Sequence, residues 1–310
     1  MGLLARLANG DRLALARLAT YVENRDPIGI EAIERLYPRT GRALTIGLTG
    51  PPGAGKSTLL NSLIDIWRAR GKSVGIIAID PTSPISGGAT LGDRIRIKER
   101  HLDDGVFMRS MASRGRKGGL APATASMIPL LDAAGFDRIL VETVGVGQDE
   151  IDVAELVHLT VLLQIPGGGD GVQALKAGVL ELADIFVVNK ADLPGADLLA
   201  RELSGIAALS SSLDPLGDAA APVVRVSATT GDGVEKLVDE IERIGARNNN
   251  DLARERIARA EISAIVVEEI RDRLQWHANE FELASLAEDA ADRSVSPRQA
   301  AERLLASLSH

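Results

Sequence analysis

Apolar positions fall along this chain in two alternating patterns. Short continuous runs recur at Ser73–Ile79 (SVGIIAI), Arg138–Val141, Leu159–Ile165, Ile185–Val188 and Val223–Val226. Ile46 and Leu48 with their neighbours form another, and Val106–Arg109 is a further candidate. Runs without polar alternation predict strands covered on both faces. Between them the spacing becomes helical. Leu59, Leu60, Leu63, Ile64 and Trp67 define a helix over Ser57–Trp67, and others are expected near 120–134, 150–157, 171–182, 196–209 and 233–244. From Ala43 onward this alternation predicts an α/β domain with a mainly parallel central sheet flanked by helices. Its ligand belongs at the carboxyl ends of the strands.

Helical extensions are expected on both sides. In residues 1–42, Asp11 can cap a helix over Arg12–Glu23, and a second helix spans Ile28–Leu36 after Pro27. Pro38 and Gly41 mark the linker. The α/β domain then covers 43–245. In 246–310, Asn248-Asn249-Asn250-Asp251 opens a long helix reaching about Gln275, with Ile262, Val266, Ile270 and Leu274 on one face. Ser296-Pro297-Arg298-Gln299 has the form of a capping box with proline at the first helical position. This last region reads as a docking or dimerisation element.

Composition narrows the field. Aromatics are 3% of 310 residues while hydrophobics are 45%, so the core must be aliphatic. The chain has no cysteine, which excludes disulfides, thiolate metal sites and cysteine nucleophiles, and a cytoplasmic location is expected. A net charge of −8 argues against binding along a nucleic-acid backbone. No apolar run is long enough to span a bilayer, so no membrane partner is expected.

The chemistry lies at strand ends. Gly50-Pro51-Pro52-Gly53-Ala54-Gly55-Lys56-Ser57-Thr58 joins a strand to a helix and carries an uninterrupted G-x-x-x-x-G-K-S. Backbone N–H groups of such a turn converge on phosphate, Lys56 neutralises the outer phosphates, and Ser57 Oγ is placed for Mg²⁺. Asn189-Lys190-Ala191-Asp192 follows a strand, where Asp192 can accept from guanine N1–H and its exocyclic amine. Adenine would leave that carboxylate unpaired. Ser227-Ala228 follows the last strand, and the Ala228 N–H can donate to guanine O6. Glu142-Thr143-Val144-Gly145 ends another strand: Glu142 can hold the metal through water or polarise an attacking water, and the Gly145 N–H can meet the γ-phosphate. Asp80 and Asp93 are further candidates for Mg²⁺ water ligation, with a helix cap as the plainer role for Asp93. Gly167-Gly168-Gly169 precedes Lys176, a lysine able to reach phosphate or another subunit.

Taken in order, GPPGAGKST, DPTSPISGGATLGDRIR, SMASRGRKGGLA, ETVGVGQDE, IPGGGD and NKAD resemble the MeaB/ArgK family of P-loop GTPases. That resemblance implies a Mg²⁺-dependent GTPase that binds GTP and GDP, forms a homodimer partly through its C-terminal helices, and serves an adenosylcobalamin-dependent acyl-CoA mutase such as methylmalonyl-CoA mutase. It implies gating of cofactor delivery and protection or rescue of the mutase, with an adenosyltransferase as a further partner. Lys56 and Ser57 would serve phosphate and metal; Asp80, Asp93 and Glu142 the metal and switch regions; Asn189, Lys190 and Asp192 the guanine. Gly167–Lys176 would be a third switch, with Lys176 its key lysine. Asp149 departs from the family pattern, where a small hydroxyl residue is expected. Competing readings are a metal-insertion GTPase, a P-loop kinase of the arginine/ornithine transport label, and a non-enzymatic scaffold. The first needs clustered metal ligands, and the four histidines, His101, His158, His277 and His310, are scattered.

Overall fold

The computed structural model describes residues 2–80, 103–112, 121–143, 148–167, 183–213, 220–277 and 280–307. Seven strands form one sheet: β1 (Leu44–Thr49), β2 (Val74–Asp80), β3 (Val106–Ala112), β4 (Arg138–Glu142), β5 (Leu159–Gln164), β6 (Ile185–Val188) and β7 (Val223–Arg225), in spatial order β3-β2-β4-β1-β5-β6-β7. Every neighbouring pair is parallel. All residues of β1, β5 and β6 are buried, as their unbroken apolar runs require. Strand order reverses on either side of β1, so the crevice for a ligand opens at its carboxyl end.

One face of the sheet is covered by α4 (Lys56–Ala69) and α8 (Val234–Asn248). Leu59, Leu60, Leu63, Ile64 and Trp67 of α4 join Ile46, Leu48, Leu140 and Val161 of the sheet and Leu237, Val238 and Ile241 of α8 in one cluster. On the second face, α7 (Ala196–Leu213) packs Leu199, Leu203 and Ala207 against Leu162, Phe186 and Val188. Among the described residues, this part also holds α5 (Ala121–Ala133) and α6 (Gln148–Leu156). The helix expected near 171–182 lies outside the described residues.

The N-terminal extension holds α1 (Leu3–Ala8), α2 (Arg12–Glu23) and α3 (Pro27–Leu36). The Asp11 carboxylate accepts from the N–H groups of Leu13 and Ala14, the predicted cap. Pro27 is itself the first residue of α3, capped by Asp26. Helix α2 also secures β3, an edge strand. Arg12 Nη1 donates to Asp103 O at 2.6 Å, its Nη2 donates to Val106 O, and Arg109 of β3 pairs with Glu23. Such ties protect an edge that could otherwise pair with another chain. The linker is held by Asp132, whose carboxylate accepts from the N–H groups of Gly41, Arg42 and Ala43.

By compactness the chain divides into Met1–Glu261 and Ile262–His310, a boundary inside α9 (Asp251–His277). The second unit continues with α10 (Glu280–Ala291) and α11 (Pro297–Ser307). The capping box at the start of α11 is present: Gln299 N donates to Ser296 Oγ at 3.2 Å and Ser296 N to Gln299 Oε1 at 3.1 Å. Among the described residues, no helix is long and apolar enough to cross a membrane.

Candidate functional site

The turn after β1 needs glycine for steric reasons. At Gly50, φ is +145°, and a Cβ would stand 2.5 Å from the carbonyl oxygen of Leu163. Gly55, at φ +88°, leaves the turn for α4, and a Cβ there would strike the Asn189 amide at 2.4 Å. The backbone therefore lies tight against β5 on one side and the Asn189 loop on the other. Lys56, the first residue of α4, is 8% exposed and folds back over the turn, with its Nζ donating to Gly50 O at 2.7 Å and Pro51 O at 3.1 Å. The ammonium is thus aimed into the concavity where the helix N-terminus adds positive potential.

Ser57 and Glu142 meet. The Ser57 hydroxyl donates to Glu142 Oε1 at 2.8 Å, and Glu142 is 8% exposed at the carboxyl end of β4. Pairing of β4 with both β1 and β2, with Leu48 and Ala78 opposite Glu142, puts this carboxylate between the phosphate turn and the end of β2 at Asp80. Thr143 and Thr49, both buried, join hydroxyls at 3.1 Å beneath it. Asp93, Gly145 and Lys176 lie outside the described residues.

The N-K-x-D stretch and the Ser227-Ala228 stretch are joined to the turn after β1 by one side chain. Asn189, 2% exposed, donates through Nδ2 to Ala54 O at 2.7 Å and accepts at Oδ1 from the Ala228 N–H at 3.1 Å. Lys190 has φ +55° and reaches Gly53 O at 3.1 Å. Asp192 is exposed. Ser227 N donates to Asp232 O, while Ser62 Oγ of α4 donates to Ala228 O at 3.0 Å. Here the Ala228 N–H is directed to Asn189 within the protein. That follows from the close approach of the two loops, which spacing alone does not reveal.

Two contributors carry no motif. Ser62 braces the Ala228 loop from the helix that begins at Lys56. Gln164, 3% exposed at the end of β5, accepts the Asn189 N–H at its carbonyl, and among the described residues its Nε2 has no hydrogen-bond partner. A glutamine closing an otherwise apolar strand was the available signal for the second.

A phosphate turn with an inward lysine, a serine–carboxylate pair at its rim and an asparagine tying it to an N-K-x-D loop define a P-loop GTPase. Comparison with known proteins places it further. The model of the family described as "Methylmalonyl Co-A mutase-associated GTPase MeaB" matches residues 15–281, and the chain belongs to that family. A protein of Pyrococcus abyssi with a GTPase name is 46% identical over 307 residues, 98% of this chain and 95% of that one. GTPase ArgK of Escherichia coli is 41% identical over 193 residues, 61% of this chain and 58% of its own length. The mouse protein named methylmalonic aciduria type A homolog, mitochondrial, is 32% identical over 322 residues, covering 96% of this chain and 77% of its own. Among solved structures, one titled LAO/AO transport system kinase matches with a TM-score of 0.70 and 25% identity over 97% of this chain and 95% of that one. HypB from Helicobacter pylori, in complex with nickel, shares the fold at a TM-score of 0.50 and 18% identity over 72% of this chain and 95% of its own.

Proposed function

We propose that this GTPase is a nucleotide-dependent chaperone for an adenosylcobalamin-dependent acyl-CoA mutase, methylmalonyl-CoA mutase or a relative. The carrying observation is membership of a family described as mutase-associated, together with an Asn189 side chain that ties the N-K-x-D loop to the phosphate turn. The mouse relative, named for methylmalonic aciduria, supports the same direction. In this reading GTP gates delivery of the cofactor and protects or rescues the mutase, and an adenosyltransferase is a further partner. The protein acts as a homodimer. Ile262, Val266 and Ile270 of α9, each at least 41% exposed, support a partnered face there.

Lys56 and the turn Gly50–Thr58, through the N–H groups of its non-proline residues, receive the β- and γ-phosphates of GTP, and Asn189, Lys190 and Asp192 hold the guanine with Ser227 and Ala228 shaping its edge. The Ser57 hydroxyl and Glu142 carboxylate, already 2.8 Å apart, form an oxygen donor set that suits Mg²⁺. Asp80 and Asp93 complete its surroundings through water. When bound, Mg²⁺ would neutralise charge developing on the phosphate oxygens. The Gly145 N–H reads the γ-phosphate. Intrinsic hydrolysis is slow in this reading. Partner binding accelerates it through Gly167–Lys176.

The test is GTP hydrolysis with and without the purified mutase. Lys176→Ala is expected to abolish stimulation and spare the basal rate. Equal loss of both rates would overturn the role of Lys176. No stimulation of the wild type by any cobalamin mutase captured with a non-hydrolysable GTP analogue would overturn the chaperone reading. Transfer of the γ-phosphoryl group to a small molecule instead of water would mark a kinase.

A further inference from the structure

While the carboxyl ends of the strands hold the nucleotide motifs, the amino ends hold a second buried polar network. His158 Nδ1 accepts from the Thr45 N–H at 3.1 Å and stands 2.6 Å from Thr45 Oγ1. Asn248 Nδ2 donates to His158 O at 3.1 Å and Asp184 Oδ1 at 3.0 Å, and Asp184 Oδ2 accepts from the Thr160 N–H at 2.8 Å. These contacts gather the starts of β1, β5 and β6 under the end of α8.

Helix α6 connects this network to the nucleotide end of the sheet. It begins at Gln148, shortly after Glu142 and Thr143, and ends at Leu156, where only Val157 and His158 separate it from β5. That junction contains no glycine for a left-handed cap. The carbonyls at the end of α6 are instead taken by one guanidinium. Arg256 Nη1 donates to Ala154 O at 3.1 Å and Glu155 O at 2.8 Å, while its Nη2 donates to Val157 O at 2.7 Å. A cation at this point also complements the helix dipole.

Arg256 belongs to the first turns of α9, and those turns are anchored independently. Asn250 Oδ1 accepts from the Ala253 N–H at 2.9 Å, and Tyr37 Oη donates to Glu261 Oε2 at 3.1 Å. Asn248 immediately precedes them.

Resting on the GTPase reading of the site, we infer that Arg256 couples the γ-phosphate-reading strand end to α9, so that α6 and the first turns of α9 respond to the nucleotide as one piece. The reason is geometric. A rigid planar fork spans carbonyls of three residues, and a slip of about 1 Å carries such bonds beyond hydrogen-bond range. A displacement of α6 therefore either draws α9 with it or breaks these three bonds at the end of α6, two of them part-buried. Arg256 touches neither phosphate nor base. It is a positioning residue acting through α6.

Hydrogen–deuterium exchange on the full chain, with GDP and with a non-hydrolysable GTP analogue, tests this. In the wild type, peptides covering 148–156 and 251–261 are both expected to change protection between the two states. In Arg256→Ala the change at 148–156 persists and the change at 251–261 disappears, with basal hydrolysis and GTP affinity unaltered. Arg256→Lys keeps the charge without the fork and is expected to behave as the alanine variant does, which covers the case where alanine fails to fold. A nucleotide-dependent change at 251–261 that survives in the lysine variant would overturn the coupling. So would a wild type that changes at 148–156 alone. Titration of the same samples with the analogue separates these results from failure of the nucleotide site itself.

Discussion

Asn189 is the side chain through which phosphate turn and base loop become one site. Its amide satisfies Ala54 O on one side and the Ala228 N–H on the other, in a place 2% exposed. Asn189→Ala leaves both groups buried without partners, at about 1–3 kcal/mol each. Nucleotide affinity should fall at least tenfold, the equivalent of about 1.4 kcal/mol, as read by calorimetric titration with GDP. His158 presents a different residue-scale problem. Burial, reinforced by the Arg256 cation, lowers its pKa from 6.5 to about 4. The imidazole is therefore neutral, as its acceptance of the Thr45 N–H demands. Because the folded value lies below the unfolded one, the unfolded chain binds the extra proton first as pH falls. Stability is fully present above pH 6.5 and declines toward pH 4, by about 3 kcal/mol at most. Urea unfolding across that window should show the decline, and His158→Gln should flatten it.

At the scale of elements, boundaries followed local chemistry where local chemistry decides them. Asp11 before Arg12–Glu23 and Ser296–Gln299 before α11 announce their helices because a cap uses only neighbouring residues. The strand, turn and helix around Lys56 were legible for the same reason. Strand β3 was read only to Arg109 but extends to Ala112, because pairing with β2 continues to Asp80 opposite Ala112, and such pairing is not local. Helix α1, six residues long, and α10, which follows α9 closely, gave no distinct start signal. Asp132 shows what sequence conceals most completely. Nothing in its own helix marks it as the acceptor for the linker N–H groups of Gly41, Arg42 and Ala43, which lie about 90 residues earlier. Asp132→Ala should lower stability by about 3 kcal/mol, since hydrogen bonds to a buried carboxylate are lost and donors stranded. Denaturant unfolding, followed by the fluorescence of Trp67, checks this.

For the molecule as a whole, the sheet order brings together residues that lie far apart in the chain. Gly50–Ser57, Glu142, Asn189–Asp192 and Ser227–Ala228 stand at the ends of β1, β4, β6 and β7, all on the carboxyl edge. Their placement at strand ends was readable in sequence because each motif directly follows an apolar run. Their mutual ties through Asn189, Ser62 and Gln164 were not, since each depends on tertiary contact. The central claim is that this edge receives guanine nucleotide in preference to adenine nucleotide. Calorimetric titration of the full chain with GTP, GDP and ATP in the presence of Mg²⁺ tests it most directly. Both guanine nucleotides should bind, with ATP at least about a hundredfold weaker, because adenine leaves Asp192 unpaired. Equal affinity for GTP and ATP, or no binding of either, would contradict it.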